Sequence, residues 1–263
     1  MDSMLVFDRL AVRRHRDRAA KTVHRVADVL RDAAERLVDR LGDTNRRFVD
    51  ALDVGGRGVV APLLRERGMR VVSCDLSPAM AALSGGPCLA ADEECLPFAR
   101  ASFDLIVASL SLHWINDLPG ALLQLRQALR PEGLLLASLP ALGTLSELRT
   151  ALTEAEAELV GGVSPRVSPF PELRDCAHLL QRAGFSVPVA DLEDIRLLYA
   201  DPFALLTDLR AAGETNAIRE RSQSSPVRAL FPAALARLPM DGERFGVSLR
   251  MAVMTGWAPA DRA

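Results

Sequence analysis

The sequence predicts an α/β fold: a mostly parallel sheet with helices on both faces, an antiparallel last strand and an inserted helical cap. Three observations carry this. Residues 47–75, RFVDALDVGGRGVVAPLLRERGMRVVSCD, read as strand, glycine turn, helix and strand, ending on Asp75. Two more apolar runs, Ser102–Ser111 and Leu134–Ser138, alternate with a helix over Pro119–Leu129, as strands of a parallel sheet do. A final apolar run, Phe245–Trp257, suits an antiparallel strand that closes the sheet.

Each element has a local reason. Phe48, Val49, Ala51, Leu52 and Val54 form a short run of the kind buried on both sheet faces. Gly55, Gly56 and Gly58 permit a turn that a Cβ would obstruct. Val60, Leu63 and Leu64 sit at helical spacing within Val59–Arg67, and Gly68 stops that helix. Met69–Cys74 is the second strand, Leu76-Ser77-Pro78 opens the next helix, and Pro87–Ala91 is a third strand ended by Asp92-Glu93-Glu94. Arg130-Pro131-Glu132-Gly133 reads as a turn into the fifth strand. Thr144–Val160 carries a leucine stripe, and Glu172–Ala183 is a helix stopped by Gly184. Phe185–Val189 and Leu192–Tyr199 read as two strands broken near Pro188. Asp201-Pro202 caps a helix that runs to Gly213, and Glu214–Ser225 reads as polar and mobile. The expected organisation is therefore a basic and amphipathic helical region (1–42), a ligand-binding core (43–142), a helical cap with late strands (143–225) and a strand region completing the sheet (226–263).

Composition excludes several classes. A net charge of −2 on 263 residues gives no global pull toward nucleic acid or membrane. Aromatics at 5% are too few for a base-stacking surface. No run of 18 apolar residues exists to span a bilayer. Cys74, Cys88, Cys95 and Cys176 show no zinc spacing and read as buried free thiols of a reducing compartment. The N-terminal stretch is rich in arginine, but Asp8, Asp17 and Asp28 argue against a transit peptide. Its arginines read as a solvated face opening a helix. His15 and Asp17 point to opposite sides of such a helix, so no metal site is expected. Thr22–Leu41 is amphipathic and should cover the sheet or the ligand entrance.

The ligand follows from the acidic residues. Asp53 ends the first strand immediately before the glycines, where a carboxylate repels a pyrophosphate but suits the ammonium end of S-adenosylmethionine. Asp75, 22 positions later, would accept from ribose hydroxyls. Asp92 ends the third strand, where the bland alternative is a solvated acidic loop. His113 and Trp114 follow the strongest strand, at the end of the sheet where ligands of open α/β folds bind. His113 can move a proton and Trp114 can exclude water; elsewhere such a pair would be packing.

The segment ALDVGGRG resembles the first motif of the class I S-adenosylmethionine-dependent methyltransferases, D/E-x-G-x-G-x-G, with Gly56-Arg57-Gly58 shifted by one deleted residue. LRPEGLLLAS at 129–138 resembles the same class, whose Rossmann-like sheet ends on an antiparallel strand. FDRLAVRRHRDRAA at 7–20, CDLSPAM at 74–80, ADEECLPFARASFDLIVASLSLHWINDLPG at 91–120, GGVSPRVSPF at 161–170, ADPFALLTDLRAAGETNA at 200–217 and TGWAP at 255–259 narrow the resemblance to its malonyl-carrier-protein (BioC) group and the bacterial relatives of complex I assembly factor 5. The resemblance implies a cofactor set of Asp53, Gly55, Gly56, Gly58, Asp75, Leu76, Asp92 and Glu93, with Asp92 toward the adenine amino group and His113 and Trp114 flanking the methyl. It implies a carrier-protein or protein substrate, in the second case a respiratory complex I subunit. It also implies a cytoplasmic setting in bacteria and a mitochondrial matrix one in eukaryotes. The alternatives are arginine modification and a non-catalytic scaffold, the latter suggested by Arg57 and the shortened turn. Arg166 and Arg174, on the cap, are the candidates for an acidic substrate through their forked donors, against the alternative of two solvated arginines.

Overall fold

The computed structural model describes residues 5–260; the first four residues of the N-terminal region and the last three of the chain lie outside it. Eight strands form one sheet in the order β3-β2-β1-β4-β5-β8-β6, with β7 paired to β8. They are β1 (Asp50–Val54), β2 (Arg70–Asp75), β3 (Cys88–Ala90), β4 (Phe103–Ser109), β5 (Leu129–Pro140), β6 (Ser186–Tyr199), β7 (Met240–Asp241) and β8 (Arg244–Trp257). β1 to β5 pair in parallel, and β8 runs antiparallel to both β5 and β6. The antiparallel strand is thus the last in sequence, but it is inserted between two others and β6 takes the edge.

Two expected breaks are absorbed into strands. Residues 130–133 form a bulge within β5, where Glu132 takes φ 57° and the register with β4 shifts between Phe103 and Leu105. β6 is one strand; its irregularity falls between Ser186 and Val189, where Val187 takes φ 49° and Pro188 has no N–H to give a ladder.

Helices cover both faces, and the short α4 (Pro78–Ala81) follows β2. α2 (Ala27–Asp39) and α3 (Val60–Glu66) bury Leu30, Leu37, Leu64 and neighbours against one face. α5 (Leu118–Ala128) and α7 (Leu173–Arg182) bury Leu122, Leu125, Cys176 and Leu180 against the other. Cys74 is also buried, but Cys88 and Cys95 are exposed, because the short edge strand β3 and the turn after it have no cover on that side.

The long ribbon of β6 and β8 places the remaining helices. β5 ends at Pro140, opposite Met251, whereas β8 begins at Arg244 and stays paired with β6 out to Tyr199. The ribbon therefore projects beyond the carboxyl end of β5. α6 (Ser146–Val160), α8 (Pro202–Ala212) and α9 (Leu230–Leu235) pack on it as a separate apolar cluster with Val167, Leu197 and Val247.

Two expectations fail at the ends of this region. The segment after α8 is anchored: Ala217 and Ile218 are buried, Ile218 bridges Phe7, and Asp8 N–H donates to the Ala217 carbonyl at 2.8 Å. Gly213 at φ 80° turns the chain back toward the N-terminus. The N-terminal helix α1 (Arg9–Ala19) is also not merely solvated, since Arg16 is buried with Ala11, Val12 and Ala19.

Candidate active site

The carboxyl ends of β1 to β4 converge where the strand order reverses between β1 and β4, the usual ligand crevice of an open α/β sheet. Asp53 lies there, 1% exposed, with Oδ2 accepting from Ser73 Oγ at 3.2 Å and Oδ1 without a partner. A Cβ on Gly56 would stand 2.1 Å from that free oxygen, so the glycine keeps open the space beside it. Gly55 turns at φ 67°, where a Cβ would meet Ser111. Arg57 takes φ 50°, a left-handed conformation that costs a non-glycine residue about 1–2 kcal/mol. The strained position sends its guanidinium to the Leu110 carbonyl at 3.0 Å and to Glu214.

Arginines from α1 hold the remaining acids. Asp75 accepts from Arg16 Nη1 at 2.6 Å and from Ser77 N–H at 2.8 Å. Arg9 Nη2 donates to Asp92 at 2.6 Å and to Glu93, and Arg9 Nη1 to the Trp114 carbonyl at 3.0 Å. Leu76 packs with Phe7, Val12 and Trp114 under this strap. The eight residues expected around the cofactor, Asp53, Gly55, Gly56, Gly58, Asp75, Leu76, Asp92 and Glu93, thus lie at the ends of three adjacent strands, β1 to β3.

His113 and Trp114 form a short turn after β4 and meet a residue that sequence reasoning passed over. Glu214 Oε2 accepts from Trp114 Nε1 at 2.7 Å and lies 2.7 Å from His113 Nε2, while Oε1 takes Arg57. Sharing one oxygen between two donors puts the proton of neutral His113 on Nε2 and leaves Nδ1, buried and unpartnered, as its acceptor. Burial pushes the Glu214 carboxyl up, but His113, Arg57 and Arg16 around it hold it well below the usual carboxylate range. The only sequence signal for Glu214 was its place after the glycine that ends α8, within the stretch AAGETNA.

These groups form the floor of a largely apolar cavity of about 160 Å³. Val26, Val29 and Leu30 form one wall, and Leu205, Asp208 and Leu209 of α8 another. Arg166 lines the cavity and pairs with Glu156 at 2.5 Å. Arg174 does not reach it: its side chain is 75% exposed and pairs with Glu172 on the surface at 2.9 Å, because α7 lies on the flank of the sheet.

The profile of the family described as "Methyltransferase domain" matches residues 20–188 of this chain. The chain belongs to that family. It is 37% identical to "Arginine-hydroxylase NDUFAF5, mitochondrial" of Danio rerio over 98% of this chain and 84% of that protein. It is 33% identical to the malonyl-[acyl-carrier protein] O-methyltransferase of Laribacter hongkongensis over 97% of this chain and 91% of that protein. The crystal structure of the Bacillus subtilis YcgJ protein shares the fold at a TM-score of 0.58 and 12% identity, covering 85% of this chain and 97% of that chain. This methyltransferase is a BioC-like enzyme with S-adenosylmethionine as its cofactor.

The residues present fit that group. The buried, unpartnered Asp53 Oδ1 beside the Gly56 cradle suits an ammonium, while Asp75, Asp92 and Glu93 are held by Arg16 and Arg9 and could accept only through their remaining lone pairs. When bound, the cofactor supplies an electrophilic methyl group on a cationic sulfur. Of the residues at hand, the unpartnered His113 Nδ1 is able to accept a proton and the buried Trp114 ring is able to exclude water.

Asp53 gives this site a pH signature. Burial, with Asp75 nearby, pushes its carboxyl from 3.8 up to about 7 against the Ser73 hydrogen bond. The folded chain therefore keeps a proton that the unfolded chain releases near 3.8, so stability from this group is complete below that pH and is lost as pH rises through 7. Asp53→Asn should match the parent at pH 4 and exceed it at pH 8 by up to roughly 4 kcal/mol. Urea unfolding across that range measures the difference, and an offset independent of pH would show that Asp53 does not titrate there.

Proposed function

We propose that the enzyme methylates an anionic oxygen, a carboxylate presented on a carrier-bound or protein acceptor that enters the cavity under α6 and α8. The observation that carries this reading is the unspent donor capacity of the cavity residues. Arg57 Nε and Arg166 Nε are both buried without a partner, and both residues line the cavity. Buried N–H donors left unmade are costly, and a carboxylate satisfies them in charge-assisted geometry. An ionised carboxylate needs no base, so alignment suffices for the transfer.

Arg166→Ala is expected to weaken the acceptor by about 1.5–3 kcal/mol, read as a rise in KM, with cofactor affinity unchanged. Steady-state kinetics on a malonyl-carrier protein, with calorimetry for the cofactor, separates the two. Unchanged turnover on that acceptor would leave Arg166 as a structural partner of Glu156.

A second reading is favoured by Asp208, a carboxylate in the cavity wall suited to a cation. It makes the acceptor an arginine side chain of a protein, as of a complex I subunit; the Danio rerio relative is named for arginine too, though for its hydroxylation. A guanidinium acceptor must lose a proton, so its reaction would depend on a base such as His113, whereas methylation of a carboxylate would tolerate loss of that base. Pulldown and turnover with both acceptor types decide between them.

A further inference from the structure

The outward face of α1 serves neither the sheet nor the cofactor crevice. Positions 10, 13, 14, 17 and 18 follow helical spacing and form one stripe, which position 21 extends in the turn after the helix. Arg13, Arg14, Arg18 and Lys21 are exposed on it, Arg25 continues it, and Leu10 at its head is 56% exposed. Asp17 is turned inward and accepts from Ser77 Oγ at 2.5 Å, so it leaves the stripe cationic. None of these five cations meets a carboxylate among the described residues; Arg18 only donates to the Arg14 carbonyl. Elsewhere on the surface Arg36, Arg40, Arg46, Arg196, Arg237 and Arg250 each do, whereas Arg100, Arg182, Arg210, Arg228 and Arg244 also lack a carboxylate among the described residues.

The stripe leads to the cavity. Arg25 adjoins Val26, and Val26, Val29 and Leu30 form a cavity wall; α1 also packs against α8, which forms another. A space of about 160 Å³ admits an arm but no folded body, so a macromolecular acceptor must rest outside it. We propose that this stripe docks an acidic carrier protein, whose flexible arm then places the acceptor carboxylate in the cavity. The inference rests on the carboxylate reading above and adds the surface and the charge of the partner. Exposed, unpaired cations beside a site set encounter rate and orientation, and their effect is screened by salt.

The test uses the full chain and a fluorescently labelled holo acyl carrier protein. Anisotropy at 50 mM salt should show binding that weakens at least tenfold in Arg14→Glu/Arg18→Glu and falls in the parent as salt is raised to about 250 mM. Turnover of malonyl-carrier protein should fall with it, while turnover of malonyl-pantetheine, which has no protein body, stays at the parent level. Equal binding by parent and variant, or binding indifferent to salt, overturns the proposal. So does retained carrier binding alongside lost binding to phosphatidylglycerol vesicles, which would assign the stripe to a lipid surface. Failure of the parent to methylate malonyl-pantetheine would count against the carboxylate reading alone, since anisotropy reads docking without catalysis.

Discussion

Arg16→Ala is expected to cost the fold about 3–5 kcal/mol, the loss typical when one partner of a buried ion pair is removed. Arg16 and Asp75 side chains are each 2% exposed and meet at 2.6 Å. Their attraction also has to offset the burial of the guanidinium, and Asp75, Glu93 and Glu214 together hold Arg16 above its ordinary value. Without Arg16, Asp75 keeps only the Ser77 N–H as a described partner and stands as an uncompensated buried charge. Against a typical stability of about 5–15 kcal/mol this is a large fraction, worth on the order of 10 °C in Tm. Replacing both partners, Arg16→Met with Asp75→Leu, should recover most of it, because a well-packed apolar pair carries no desolvation penalty. Urea unfolding of the three variants measures the series. A loss below 1 kcal/mol for the single variant would mean that water reaches Asp75 as soon as Arg16 is gone.

The second large effect is expected at Glu214. Glu214→Ala leaves Arg57 charged and buried without its counter-ion and strips the acceptor from Trp114 Nε1 and His113 Nε2 at once. A destabilisation of about 3–5 kcal/mol follows from the unpaired charge, with further loss from the two orphaned donors. Because the folded chain holds the Glu214 carboxyl well below the ordinary range, its contribution is complete above pH 4.5 and is lost only as pH falls far into acid. The pH window therefore lies opposite to that of Asp53. Glu214→Gln keeps the shape but supplies only one accepting oxygen, so it cannot serve Arg57 on one side and His113 with Trp114 on the other. It should fold better than the alanine variant yet let His113 move its proton to Nδ1, closing the free acceptor. Circular dichroism melts and imidazole proton chemical shifts by NMR separate the two consequences. A glutamine variant with unaltered His113 tautomer would remove Glu214 from any positioning role.

The order of strands and helices was legible because it is written in local terms. Apolar runs of strand length, glycines where φ turns positive, and Asp201-Pro202 at a helix start each act within a few residues. The breaks at 130–133 and Pro188 were misread for the same reason. A local signal marks where a ladder is disturbed, but whether the chain turns away or bulges and continues depends on the neighbouring strand that recaptures it.

The acids at strand ends were legible too, since position along a parallel sheet already places Asp53, Asp75 and Asp92 at its carboxyl edge. Their partners were not. Arg16 read as a member of a basic run, the hint being that it shares a helical face with Val12 and Ala19, and Arg9 was not singled out. Glu214 read as part of a polar tail, yet it gathers Arg57, His113 and Trp114 from positions 100 or more residues away. Arg166 and Arg174, eight positions apart on the same cap, were equal candidates until the fold put one on the cavity and the other on the flank.

By itself, then, the sequence determined the sheet, its glycine turn and the row of carboxylates that suits the cofactor, because backbone conformation and hydrophobic period are properties of short segments. The tertiary structure decided which arginine neutralises which acid, which residue orients His113, and which face of α1 is left cationic. A charge has no preferred partner until packing removes water from it, and that happens only where distant elements meet.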